Sequence, residues 1–288
     1  MPTTYAHWRF GDKCIPSLTP ELQKIVKDNR AIFDFGVHGP DIFFYYDCLK
    51  HNAVNQFGTD LHDIPFRETL EKMRPYYNGC DDKKAALSYL LGFTAHFTLD
   101  SYCHGYIDRK DEVSGCSHGK IESQYDRHLL KKDGYDPVKK SVTFSLKPDR
   151  KIAHVIHELF PEQSEDVCYK TIKDQLFYLN LLKDSNDLKR WFLIKAMDAV
   201  GALSYKDLLI TKEDDPRCKD SMLRLDKYFD VALRHYPLLA ESLVSFLEEG
   251  KELDPYFHNH FCPKEDYKEI PILSYEDELK YEINDFQK

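Results

Sequence analysis

Apolar residues recur at intervals of three and four along nearly the whole chain, and runs that alternate apolar with polar are almost absent. That spacing lines side chains along one stripe of a helix but scatters them over both faces of a strand, so it favours a helical core over a sheet. The expected fold is all-α, a multi-helix bundle forming a single domain over 1–288. Helices are expected over 20–29 behind a Thr19 cap, 42–50, 66–77, 82–104, 117–132, 149–159, 163–183, 187–206 and 220–250, the last broken at Pro237. Only Ser141 to Leu146, SVTFSL, has the look of a strand. With 288 residues, 42% of them hydrophobic, the chain has enough apolar material for one large core.

The helix over 82–104 departs from this pattern. In HFTLDSYCH, His96, Asp100 and His104 stand four apart, so three polar groups share one helical face while Leu, Phe, Ala and Tyr supply the rest. The next helix repeats the device: HGKIE sets His118 and Glu122 four apart. Two neighbouring helices can turn such faces toward each other, as metal-binding bundles do, and nitrogen with carboxylate oxygen is a donor set that suits zinc. A metal site between helices is therefore expected.

Three more candidates sit in or near loops: His7 in TYAHW, Asp41 in GPDIFF and His62 in LHDIPF. Each alone has an ordinary reading, since Asp41 can cap helix 42–50, His62 can precede a helix start, and His7 can be a half-buried histidine. Asp63, Asp126 and His128 are close enough in sequence to partner the ligands, though surface charges in such positions are commoner. HVIHE at 154–158 has the wrong order for a metalloprotease helix and reads as packing or surface.

The net charge is −9, and the pairs Lys131-Lys132 and Lys139-Lys140 are too few to form the basic stripe that duplex nucleic acid attracts. The start MPTTYAHWRFG has no basic segment followed by an apolar run, and no stretch reaches the length of a membrane span, so the expectation is a cytoplasmic protein with no transmembrane segment. No strongly basic amphipathic helix for membrane docking stands out. Eight cysteines without CxxC spacing read as mostly small buried hydrophobes, kept reduced.

The series HFTLD, His104 and HGKIE, preceded in order by GPDIFF and LHDIPF, resembles the zinc-dependent phospholipase C family, the phospholipase C/D domain proteins, whose fold is shared with P1-type nucleases. The likeness covers about the first 130 residues. It implies that Asp41, His62, His96 and Asp100 hold a first zinc, and that His104, His118 and Glu122 hold a second. Asp100 and His7 would reach a third, completed by the N-terminal amine and carbonyl; with Met1 before Pro2, that amine would be the secondary amine of Pro2.

By the same resemblance the chain would be a metal-dependent phosphoric diester hydrolase. Asp41 would take a proton from the attacking water, and the substrate would be a small phosphodiester or phospholipid head group. Three carboxylates against two zinc ions leave a net charge of about +1, which favours a phosphate reaching into a pocket. The alternatives are a P1-like nuclease or phosphomonoesterase using the same metals, and a structural zinc protein without catalysis. Ile42 follows the loop aspartate where, by the resemblance, choline-preferring members carry an aromatic, so the head group stays open, as does the oligomeric state.

Overall fold

The computed structural model describes residues 4–183, 187–199, 201, 203–262 and 267–283, and every regular element among them is helical. The α-helices in order are α1 (Thr4–Cys14), α2 (Pro20–Asp28), α3 (Arg30–Gly36), α4 (Ala53–Asp63), α5 (Phe66–Gly79), α6 (Lys83–Ser114), α7 (His118–Lys132), α8 (Arg150–Leu159), α9 (Glu165–Leu182), α10 (Asp187–Ala199), α11 (Lys219–Glu249) and α12 (Tyr275–Glu278). Their starts follow local chemistry. The Thr19 hydroxyl accepts from the Leu22 N–H, Asn52 from Val54 and Asn55, Asp82 from Ala85, and Ser117 from Lys120, each satisfying a donor that the first helical turn leaves over. Gly115 and Gly250, both left-handed, end α6 and α11.

α6 is the centre of the bundle because it is apolar nearly all round: every residue from Ala85 to Asp100 is buried. Helices α1, α3, α5, α8 and α11 pack against it, and α7 follows it antiparallel after the Gly115 turn. The α3–α6 crossing is the closest in kind. A Cβ on Gly36 would come within 2.3 Å of the Tyr89 carbonyl oxygen, and one on Gly92 within 2.5 Å of the Phe33 carbonyl oxygen. Two glycines thus let the backbones touch, and this sets the end of α3 directly over the histidine one turn beyond Gly92.

Four expectations need correction. Residues 42–50 are not a helix; Gly39–Tyr45 is a 3-10 segment that stops at Tyr46, because the Asn55 amide binds the carbonyls of Phe43, Phe44 and Tyr46 that a longer helix would consume. Ser141 to Leu146 is a run of turns. It has no partner strand among the described residues, and Thr143 instead ties it to Asn180 of α9. α11 runs unbroken through Pro237, since Tyr236, Leu239 and Ala240 around it are fully buried and the Tyr236 hydroxyl holds the Leu91 carbonyl of α6; this packing offsets the lost backbone bond. Cys116 and Cys218, 102 residues apart, are paired as a disulfide, which only tertiary contact between the α6–α7 turn and the start of α11 brings about. The other six cysteines are free, four of them buried.

The acidic tail is packed where it is described. Glu278 of α12 and Arg224 of α11 form an ion pair at 2.7 Å with both side chains completely buried, and the Tyr281 ring lies 4.0 Å from the guanidinium. No helix among the described residues is long and apolar enough to cross a membrane.

Candidate metal centre

All eight sequence candidates converge. α1 brings His7, the 3-10 segment brings Asp41, α4 brings His62, α6 brings His96, Asp100 and His104, and α7 brings His118 and Glu122. Two of the supposed loop residues are helical: His7 lies in the second turn of α1 and His62 in the last turn of α4, which the sequence reading had missed as a helix. Seven of the eight are buried; only His118, with a side chain 27% exposed, reaches toward the surface and marks the open side.

The carboxylates link the imidazoles. Asp100 is the hub, its oxygens 3.1 Å from Nε2 of His7, 3.0 Å from Nε2 of His96 and 3.3 Å from Nε2 of His104. Asp41 stands 3.1 Å from Nε2 of His62 and 3.6 Å from Nε2 of His96. Glu122 stands 3.1 Å from Nε2 of His118 and 3.7 Å from Nε2 of His104. Within the centre two groups have ligand atoms close enough to share a cation, His7 with Asp41, His96 and Asp100, and His104 with His118 and Glu122, all within 4.8 Å; a third such group, Asp81 with His154 and Glu158 of the HVIHE stretch, lies at the surface. His7 thus joins the first group instead of standing apart, and His62 reaches that group through Asp41. The first three residues, including Met1 and Pro2 with the amine expected to complete a third site, lie outside the described residues.

The far side of four of the five rings carries the stronger signal. Nδ1 of His62 is 2.7 Å from the Gly58 carbonyl, Nδ1 of His96 3.2 Å from the Val37 carbonyl, and Nδ1 of His118 2.8 Å from Asp108. A carbonyl oxygen or carboxylate can only accept, so Nδ1 holds a proton, and whenever the ring is neutral its Nε2 turns a bare lone pair inward. Nδ1 of His104 meets Cys262 Sγ at 2.8 Å. Lone pairs facing carboxylate oxygens at about 3 Å in a buried space repel unless a positive charge lies between them. His7 Nδ1, His96 Nε2 and Glu122 Oε2 are in addition buried without a hydrogen-bond partner. Imidazole nitrogen plus carboxylate oxygen, with Nδ1 anchored outside, fits zinc.

Electrostatics point the same way. Burial would raise Asp41 and Asp100, yet the surrounding imidazoles hold both below the usual carboxylate range. Burial would lower His104, but Asp100 and Cys262 carry it well above its ordinary value. These carboxylates are a demand for positive charge.

Supporting groups include some that the sequence did not reveal. Gly39, at φ +52, has the His96 ring so close that a Cβ would sit 2.2 Å from Cδ2. Gly39→Ala is expected to push His96 and Asp41 apart and to destabilise the protein by about 1–3 kcal/mol, read by urea denaturation; an unchanged midpoint would count against this tight fit. Asp126 partners no imidazole of the centre; it accepts from the Tyr5 and Ala6 amides at 3.1 and 2.8 Å, holding the first turn of α1 and so positioning His7, and burial pushes it up to about 7. His128 pairs with Asp226 at 3.0 Å, away from the centre. Ile42 is fully buried and faces the core. Val37, Gly58 and Cys262 carried no sequence signal, because two act through backbone carbonyls and the third lies 158 residues from its histidine.

The molecule is thus an all-α protein with a buried centre of imidazoles and carboxylates able to hold metal ions. Residues 6–193 match the zinc dependent phospholipase C family, and the chain belongs to that family, a family of hydrolases. The match extends past the 130 residues that carry the motifs and runs into α10. Comparison with curated proteins and with solved structures gives no match.

Proposed function

We propose that this chain is a zinc-dependent phosphodiester hydrolase of phospholipase C type, acting on a small phosphodiester or a phospholipid head group. The observation that carries the reading is the set of anchored imidazoles, each with Nε2 turned onto Asp41, Asp100 or Glu122. Asp41, His62, His96 and Asp100 would hold one zinc, with His7 beside them, and His104, His118 and Glu122 a second. When bound, paired zinc ions supply Lewis acidity, polarising phosphoryl oxygens and acidifying water.

The chain's own residues do the rest. Asp41, fixed on the 3-10 segment between Gly39 and His62, accepts the proton of the attacking water as oxygen bonds to phosphorus and the alcohol oxygen departs with a proton from solvent. Asp100 holds the two halves of the centre in register. The cavity bounded by Thr4, Tyr45, Glu122, Asp126 and Lys140, about 60 Å³, lies beside Glu122.

Zinc measured on purified protein together with turnover of bis(4-nitrophenyl) phosphate tests the reading. Close to two zinc per chain and steady turnover are expected, with short-chain phospholipid preferred over a single-stranded oligonucleotide; the reverse preference would favour a nuclease. One observation favours a structural zinc centre: seven of the eight residues are buried. Full zinc loading without turnover of any of the three substrates would decide for that alternative. Asp108→Ala, which removes the acceptor of His118 Nδ1, is expected to weaken zinc binding at the second group by about 10- to 100-fold in a chelator competition; an unchanged affinity would show that Asp108 does not orient that ligand.

A further inference from the structure

A second surface lies beside the centre. α10 has no buried residue, yet it carries Leu188, Trp191 and Phe192 at 66%, 54% and 58% exposure. These three fall at spacings of three and four and so form one stripe, while Leu193, Ala196 and Met197 form another that lines an apolar cavity of about 230 Å³. The cavity is closed on its other sides by Phe44, Tyr45, Cys48 and Leu49 after Asp41, and by Tyr178, Leu181 and Leu182 of α9. Its rim continues outward through Leu49, Leu181 and Phe177, all exposed. Half of the large exposed hydrophobic side chains described in this protein thus lie on α9, on α10 or at Leu49, the segments that form this cavity.

That cavity leads toward the metal centre. Tyr45 lines both this cavity and the smaller one that reaches Glu122, and the Phe44 ring stacks on His62 at 5.1 Å between centroids. The charges nearby are also unlike those of the whole chain. Over 183–199 the sequence carries Lys183, Lys189, Arg190 and Lys195 against Asp184, Asp187 and Asp198, a small basic excess in a protein of net charge −9.

We propose that the outer stripe of α10, with Leu49, Phe177 and Leu181, is a docking face for an anionic lipid surface, and that the cavity behind it receives one acyl chain from that surface. This rests on the phosphodiesterase reading of the adjoining centre. α10 is not a strongly basic helix, as the sequence led one to expect; its uncovered Trp191 and Phe192 rings are what an interfacial segment places at head-group depth, with the exposed Lys195 on the same stripe among lipid phosphates. An apolar cavity running inward from the patch takes a flexible chain, which a bilayer offers and a flat folded surface does not. Docking would bring the head-group phosphate to the side of the protein where Tyr45 separates the chain cavity from Glu122.

The test is co-sedimentation of the zinc-loaded protein, at 4 °C and physiological salt, with vesicles of phosphatidylcholine and phosphatidylglycerol at 3:1 and with vesicles of phosphatidylcholine alone. Wild type is expected to partition onto the mixed vesicles several-fold more than onto the neutral ones. The double substitution Trp191→Glu with Phe192→Glu is expected to cut that partition at least tenfold, and Trp191→Ser alone to fall between. Turnover of soluble bis(4-nitrophenyl) phosphate and the circular dichroism spectrum are expected to stay unchanged in both variants.

Wild type remaining in the supernatant with both vesicles, or the folded variants pelleting like wild type, overturns the proposal. So does light scattering that finds a dimer which the substitutions convert to a monomer, since the face would then meet a second copy. Absence of soluble turnover in all three proteins counts against the reading of the centre and leaves vesicle partition to judge the docking face.

Discussion

Replacing Asp100 with asparagine is expected to empty both halves of the centre at once, dropping zinc below one per chain and phosphodiester turnover by about 1,000-fold or more, equivalent to roughly 4 kcal/mol of transition-state stabilisation. The reason is its position. One carboxylate stands within 3.0 to 3.3 Å of Nε2 on three imidazoles, two in the first group and one in the second. Asparagine keeps the shape but removes the charge that a dication requires, and its amide nitrogen would face a lone pair. Metal analysis and a turnover assay on the same preparation measure both effects, with circular dichroism to verify the fold. A variant that kept both its zinc and its rate would show that Asp100 does not join the two groups.

Replacing Glu278 with alanine is expected to destabilise the protein by about 3–5 kcal/mol, because it leaves the Arg224 guanidinium charged, buried and without its carboxylate. For a chain of 288 residues this corresponds to a fall in Tm of about 5–8 °C. The effect should be asymmetric. The double change Arg224→Met with Glu278→Leu removes both charges together and is expected to cost far less than Glu278→Ala alone, since no uncompensated ion remains. Urea midpoints of the three proteins decide it; equal losses in the single and double variants would show that packing, not charge, ties the tail to α11.

Much of the centre was legible because a helix states its own geometry. His96, Asp100 and His104, and then His118 and Glu122, had to share faces once their segments were helical, whatever those faces met. Asp41 and His62 were nameable only from the order of motifs, since nothing in GPDIFF or LHDIPF alone separates a metal ligand from a capping or surface residue. The 3-10 segment at 39–45 was misread as the start of a longer helix because the residue that ends it, Asn55, acts from the next element. The strand-like SVTFSL failed for a related reason: alternation makes a strand only when a partner supplies the ladder.

The sequence by itself determined that the chain is helical and that two helical faces carry imidazole and carboxylate at one-turn spacing, because these follow from periodicity and local hydrogen bonding. Tertiary structure alone decided which carbonyl holds each Nδ1, that Asp100 bridges three histidines, that Cys116 meets Cys218, and that α10 leaves an aromatic stripe uncovered. Those facts depend on contacts between segments up to 158 residues apart, and no local pattern encodes a distance that only the packed backbone sets.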